Sequence, residues 1–432
     1  MLKNIGSIKK SYKRLALIVV IFVVAILGTL VLIDSHAASP YASINADQGV
    51  LANGAVKQNC SGANDGSCIE FSTGSSTTGP MDGNVALSLT ISGTPFASTS
   101  FWNTPLPASI PANPNNAAYN LALTYALCHD TPPTGSLAAL TPPSSCTTPT
   151  FHGALNTSAW SAPLYVVPAN QSTVNIDLET GCNTSNNFAL ARANVPIPTD
   201  AHGAGDNSDS EIQIYQPSTN KEWEFWHFIK EANGNWSACY GGIINNVSQS
   251  NGIFPNNTGA TATSLPLLGG VIRIEELQAG QINHVMNLST QSNLVSGIPV
   301  NIPGAIAPYS WPATRNDGSL TDLLSIPEGT RFRLNPNLNL NTLSLSPVAK
   351  TIAIAAQKYG FVVDDRSSGV SIRLGDPTTY TTAGLANPYT SGMGVGGVGT
   401  SGLFGNGSNS MNNFPWDQLQ ALPYNYGEPP WP

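Results

Sequence analysis

Between Glu211 and Lys230 the sequence reads EIQIYQ, then Pro217-Ser218-Thr219-Asn220, then Lys221 and EWEFWHFIK, and this stretch constrains the fold more than any other. Two runs of period-two alternation separated by a four-residue turn form a β-hairpin. In the second run Trp223, Phe225, His227 and Ile229 fall on one face, and Glu222, Glu224, Trp226, Phe228 and Lys230 on the other. Aromatics on both faces require cover on both sides, by a core and by a second layer or a groove. Further strands are expected at WSACYGGII, GQINHVMNLST, TRFRLN, GFVVDD and SIRLG. The fold class is therefore mainly β, a two-sheet β-sandwich or jelly-roll-like body with a few helices.

Two helices are expected within that body. Asn113 can cap and Pro114 can open a helix through NNAAYNLALTYALC, with Ala118, Leu121, Ala122 and Tyr125 on one face. Ser346 caps and Pro347 opens the second, whose stripe is Val348, Ile352, Ala355 and Tyr359, and Gly360 stops it.

Ahead of the body, Lys3, Lys9, Lys10, Lys13 and Arg14 precede a charge-free run from Leu15 to Ile33. Such a run reaches roughly 28 Å as a helix, about the hydrocarbon thickness of a bilayer. It reads as a retained N-terminal transmembrane helix; Ser35 and Ala37 also suit signal cleavage after Ala37, which would make the protein secreted. The expected organisation is a cytoplasmic basic tail (1–14), a transmembrane or signal segment (15–33), a linker with a short β segment (34–94) and an extracellular β-rich domain (95–432). The basic tail stays inside, so the rest is exported, either single-pass at the cell membrane or released. The membrane is thus one expected partner, through this helix.

Five of the 17 Lys and Arg lie in that leader, which leaves 12 against 25 Asp and Glu, a formal −13 for the remainder. Nucleic acid is excluded as a partner because no basic face is available to neutralise phosphates. In an oxidising compartment the six cysteines, Cys60, Cys68, Cys128, Cys146, Cys182 and Cys239, suggest three disulfides. Neighbour pairing is one of the fifteen connectivities open to six cysteines. Zinc is the weaker reading, since no Cys-x-x-Cys occurs.

The stretch from His202 to Phe228 gathers five acids and two imidazoles. The hairpin can bring Glu222 or Glu224 beside Asp209 and Glu211, and paired carboxylates are what glycoside hydrolysis uses. Asp206, Asp209 and Glu211 alternatively suit calcium, or cap turns, or are solvated. No other cofactor is indicated. His284 shares a strand face with Ile282, Met286 and Leu288; it is a core residue, or a base able to take the proton beside a uronate carboxyl near Tyr215 or Tyr240. Arg273, Arg331 and Arg333 could pair with that carboxyl, or form structural salt bridges. The candidate catalytic residues are accordingly Asp209, Glu211, Glu224 and His284. Trp223, Trp226, Trp236, Trp311, Arg331 and Arg333 are the candidate substrate contacts. Gly-x-Ser-x-Gly, His-Glu-x-x-His and EF-hand patterns are absent.

The order FWNTPLP, VPIP, HGAGDNSDSEIQIYQP, EWEFW, GATATSLPLLGGVIRIEELQAGQINHVMNL, WPAT, IPEGTRFRL, AAQKYGFVVDD and FPWDQLQ resembles a set of exported bacterial proteins of unassigned activity, from actinobacteria and small-celled relatives. The resemblance implies a single-domain body and carries over no catalytic residue. The segment from Ala42 to Thr73 resembles the first strands of β-sandwich carbohydrate-binding modules, or is an ordered linker clipped by Cys60 and Cys68. The expected function is binding or cleavage of a polysaccharide, as a glycoside hydrolase or polysaccharide lyase if an enzyme, by analogy at fold level. The competing expectation is a non-enzymatic envelope or adhesion protein.

Overall fold

The computed structural model describes the backbone of 55–59 and 67–71, and residues 92–128, 153–182, 188–205, 209–291, 307–318, 325–405 and 411–430. The leader from 15 to 33 lies outside these; among the described residues no helix is long and apolar enough to cross a membrane. The chain divides into two compact units, Met1–Met81 and Asp82–Pro432. In the first, β1 (Ala55–Asn59) and β2 (Ser67–Phe71) pair antiparallel, from Ala55 opposite Phe71 to Asn59 opposite Ser67.

The second unit is mostly β with several sheets. Its strands are β3 (Ala154–Asn156), β4 (Leu164–Val166), β5 (Thr173–Val174), β6 (Ile176–Leu178), β7 (Val195–Pro196), β8 (Ile212–Gln216), β9 (Lys221–Trp226), β10 (Ile229–Lys230), β11 (Trp236–Ala238), β12 (Tyr240–Asn245), β13 (Met286–Thr290), β14 (Arg331–Leu334), β15 (Phe361–Arg366), β16 (Ser371–Arg373) and β17 (Leu419–Ala421). A four-stranded sheet runs β12-β9-β8-β4 and a six-stranded one β17-β14-β15-β13-β16-β3, with smaller sheets β10-β11-β6 and β5-β7. Both large sheets are mixed, since β4–β8, β13–β15 and β16–β3 are parallel.

The hairpin forms as the alternation requires. Ile212 faces Phe225, Gln213 faces Glu224 and Tyr215 faces Glu222, with Asn220 at φ 56° closing the turn. One face, Ile212, Ile214, Trp223 and Phe225, packs into a core with Phe228 and Trp236. The alternation ends at Trp226, four residues short of the expected Lys230. His227 takes φ 55°, breaks the ladder, and the chain re-enters as β10 in a different sheet.

The opposite face is covered by a short helix, α2 (Leu267–Gly270), which follows α1 (Asn116–Leu127) in the chain and precedes α3 (Ile274–Ala279) and α4 (Pro347–Lys358). The Leu268 amide donates to Glu224 on β9, while Gly270 lies against Asn287 of β13, so α2 wedges between the two large sheets. Only glycine fits at 269, because a Cβ there would strike the indole of Trp102, itself fully buried with Nε1 bonded to Gly252 O at 2.7 Å. The far side of the six-stranded sheet packs Leu288, Phe332, Phe361 and Val363 against α1 and α4 through Tyr119, Leu123 and Ile352.

For α4, Ser346 Oγ accepts from the Ala349 amide, Pro347 occupies the first turn, and Gly360 at φ 80° ends it, as the sequence indicates. α1 starts later than expected. Asn113 Oδ1 accepts from the Asn115 amide and its Nδ2 donates to Leu422 O, so the side chain serves a turn and a long-range tie instead of the cap. Cys182 and Cys239 form a disulfide, and Cys128 is also disulfide-bonded. Cys60 and Cys146, and the side chain of Cys68, lie outside the described residues.

Candidate functional site

Residues paired across an antiparallel ladder share a face. Glu222 and Glu224 therefore point with Gln213 and Tyr215 into the layer between the two large sheets, and all four are buried. Glu224 Oε1 accepts from the Leu268 amide at 3.0 Å, and the Glu222 and Glu224 carboxyls hydrogen-bond each other. Burial, then the neighbouring Glu224, raises Glu222 well above the carboxylate range; burial raises Glu224 to about 7. The pair thus keeps a proton in the core, where a second charge would cost several kcal/mol, of the order of the penalty for an uncompensated buried ion.

Next to this pair, Arg373 on β16 gathers three carboxyls: Nη1 lies 3.3 Å from Glu211 Oε1 and 3.9 Å from Asp364 Oδ2, and Nη2 lies 2.8 Å from Asp365 Oδ2. Ser289 Oγ donates to Asp364 Oδ1 at 3.2 Å. One guanidinium cannot compensate three desolvated acids. Burial outweighs its attraction, lifting Glu211 to about 8 and Asp365 to about 7, and raising Asp364.

The layer opens to solvent at the carboxyl end of β15. Side-chain exposure rises from 2% at Glu211 through 19% at Asp365 to 46% at Asp317. There Asp317, Glu328 and Asp365 each offer an oxygen, all within 4.8 Å of one another. Burial raises Glu328 well above its ordinary value, and Asp365 and Asp317 add to the shift. The Asp317 amide donates to Glu328 Oε2 at 3.2 Å, and Arg366 Nε stands 3.5 Å from Asp317 Oδ2. Arg315 lies 4.4 Å over the Tyr240 ring and donates to the carbonyls of Gly259 and Thr261. Tyr240 faces Trp226 across β12–β9, and Trp226 Nε1 donates to Asp209 Oδ1 at 3.1 Å. The result is a run of polar groups, Asp209, Glu211, Arg373, Asp365, Glu328 and Asp317, bordered by two half-buried rings.

Two kinds of chemistry suit this arrangement. A carboxyl poised near neutral pH, part exposed and beside other acids, can give and take a proton. Three hard oxygen donors this close can also hold a divalent cation such as calcium. Glu179, Cys182 and Cys239 are equally close, but both sulfurs are spent in the disulfide.

Asp209 and Glu211 lie at this site, and Glu224 lies deeper on the same sheet face. Asp206 falls outside the described residues. His284 is elsewhere and fully buried: it precedes β13, Nδ1 meets Val285 O at 2.7 Å, and Nε2 meets Glu276 Oε2 at 3.0 Å. Burial would raise Glu276, but His284 and Arg273, the latter 2.8 Å away, outweigh it and hold the carboxyl below its usual range. Trp223 sits on the opposite sheet face, Trp236 stacks on Phe228 at 4.7 Å, and Trp311 packs edge-on to Phe101 at 5.3 Å. Arg331 and Arg333 are buried. Arg331 Nη2 donates to Tyr359 O, and Arg333 to the carbonyls of Pro107 and Ala108 and to Gln420 Oε1. Of the six proposed substrate contacts, Trp226 is the one that borders the acid cluster.

Asp317, Glu328, Asp365, Arg315 and Arg373 were not singled out by the sequence. Asp364-Asp365-Arg366, charges ending an apolar strand, was the available signal. Comparison with family models, with curated proteins and with solved structures finds no match to this chain.

Proposed function

We propose that this protein is exported, anchored by its N-terminal helix or released after cleavage near Ala37, and that it binds or cleaves a polysaccharide. In this reading the two large sheets, packed about α2, make a sandwich-like or jelly-roll-like body, and the β1–β2 hairpin belongs to the linker ahead of it. The observation that carries the reading is the Asp365 carboxyl: part exposed, poised at about 7, with Glu328 and Asp317 within 4.8 Å and the Trp226 and Tyr240 rings at the margin. Aromatic rings offer flat apolar faces to sugar rings, and grouped carboxyls of which one is raised toward neutrality are the apparatus of glycoside hydrolysis. Arg315 and Arg366 would orient an acidic sugar.

The test is a glycan panel assayed for reducing ends and for unsaturated uronates, with Asp365→Asn and Glu211→Gln alongside. Product that disappears in Asp365→Asn supports an enzyme. Binding without turnover in the wild type would instead support the non-enzymatic envelope or adhesion role.

A further inference from the structure

His227 stands directly after Trp226, where β9 stops, with its backbone at φ 55° in the left-handed region that favours glycine. Its amide still donates to Asp209 O, at 2.6 Å, so the residue is fixed against the segment that carries Asp209. The ring leaves the ladder and reaches the turn after β6, where Nδ1 meets Glu179 Oε2 at 2.5 Å. Glu179 is held in turn. Its amide donates to Ala238 O, its carbonyl accepts from the Cys182 amide, and Cys182 is bonded to Cys239, the residue after Ala238. The imidazole side chain is 27% exposed, and among the described residues Nε2 meets no protein partner. The neighbouring ring is Trp226, with centroids 5.6 Å apart.

A carboxylate on one ring nitrogen fixes which tautomer the imidazole adopts and leaves the other nitrogen as the working atom. The geometry points to a second proton-transfer residue: His227, oriented by Glu179, presents Nε2 to a water beside a sugar lying against Trp226 and takes a proton from that water as its oxygen bonds to the anomeric carbon and the glycosidic bond breaks; the leaving oxygen takes a proton from a carboxyl of the acid cluster, and the imidazolium and that carboxylate then exchange protons with solvent. Glu179 is the positioning residue, and the Cys182–Cys239 disulfide fixes the turn that carries it. This rests on the polysaccharide reading above and names a different group in it, since Asp365 and His227 belong to separate elements.

Two measurements test it on the full chain. With a cleaved glycan in hand, His227→Asn is expected to lower kcat about a hundredfold or more with KM within about threefold, the range of a lost acid–base group. Glu179→Gln, which keeps a hydrogen bond to Nδ1, is expected to lower kcat about tenfold. Unchanged kcat in His227→Asn overturns the proposal. The second measurement needs no activity: carbethoxylation by diethyl pyrocarbonate, mapped by mass spectrometry. His227 should be modified at least threefold faster in the wild type than in Glu179→Gln, while buried His284 stays unmodified. Equal rates in the two proteins, or an inert His227, overturn it. If the wild type cleaves no glycan while His227 remains selectively reactive, the cleavage reading fails and the dyad stands.

Discussion

Glu211→Gln breaks an ion pair with Arg373, yet the protein is expected to gain stability from it in alkaline solution. Glu211 is buried, its Oε2 has no donor among the described residues, and its pKa is raised from 4.5 to about 8 in spite of Arg373. A carboxyl whose folded value exceeds its unfolded one contributes stability that is fully present below about 4.5 and is lost as pH climbs through about 8. Three and a half units at about 1.4 kcal/mol each give a loss of about 5 kcal/mol when the rise is complete. Glutamine has the shape and neutrality of the protonated acid. At pH 5 the variant and wild type should therefore agree within about 1 kcal/mol, and at pH 9 the variant should be more stable by about 3–5 kcal/mol. Urea unfolding followed by tryptophan fluorescence at the two pH values reads both differences. A variant less stable than wild type at pH 9 would refute the reasoning, because it would mean that Glu211 is ionised in the native state and that its pair with Arg373 outweighs its burial.

Arg373→Met should have the opposite character, costing about 3–5 kcal/mol at pH 8 because Asp364 and Asp365 lose their buried counter-charge; the cost should shrink at pH 5, where the acids take up protons, and thermal unfolding at both pH values checks it. Joint replacement of Cys182 and Cys239 by serine opens a closure of 57 residues and should cost up to about 4 kcal/mol, measured by urea midpoint. Ser346→Ala should cost about 1 kcal/mol through the lost bond to the Ala349 amide, with the same assay.

Local structure was legible where one short-range rule governed. Ser346-Pro347 and Gly360 bound a helix whose stripe is buried as written, and the 211–226 alternation gave a hairpin in register with Glu222 and Glu224 on one face. Rules of this kind fail where a side chain has distant duties. Asn113 reads as a cap but is drawn to Leu422 O more than three hundred residues away, and His227 fits the strand pattern but leaves it for Glu179. The site was half legible for the same reason. Asp209 and Glu211 lie near their hairpin partners in sequence, whereas Asp365, Glu328 and Asp317 come from three separate segments, and Arg373 reaches Glu211 from another sheet. His284 reads as a core residue or as a base; it is buried, and nothing local in the sequence announced that Glu276, itself paired with Arg273, would meet its ring. Parallel pairings such as β4–β8 join strands far apart in sequence, and such pairing leaves no turn signature to read.

A carboxyl held near neutrality at the mouth of the inter-sheet layer is what the proposed chemistry requires. Carbon-13 NMR of the aspartate carboxyls, with Asp365→Asn assigning the resonance, measures that directly. A midpoint near 7 for Asp365 is the expected result; titration near 4, as for a solvated aspartate, would leave the site without its proton donor.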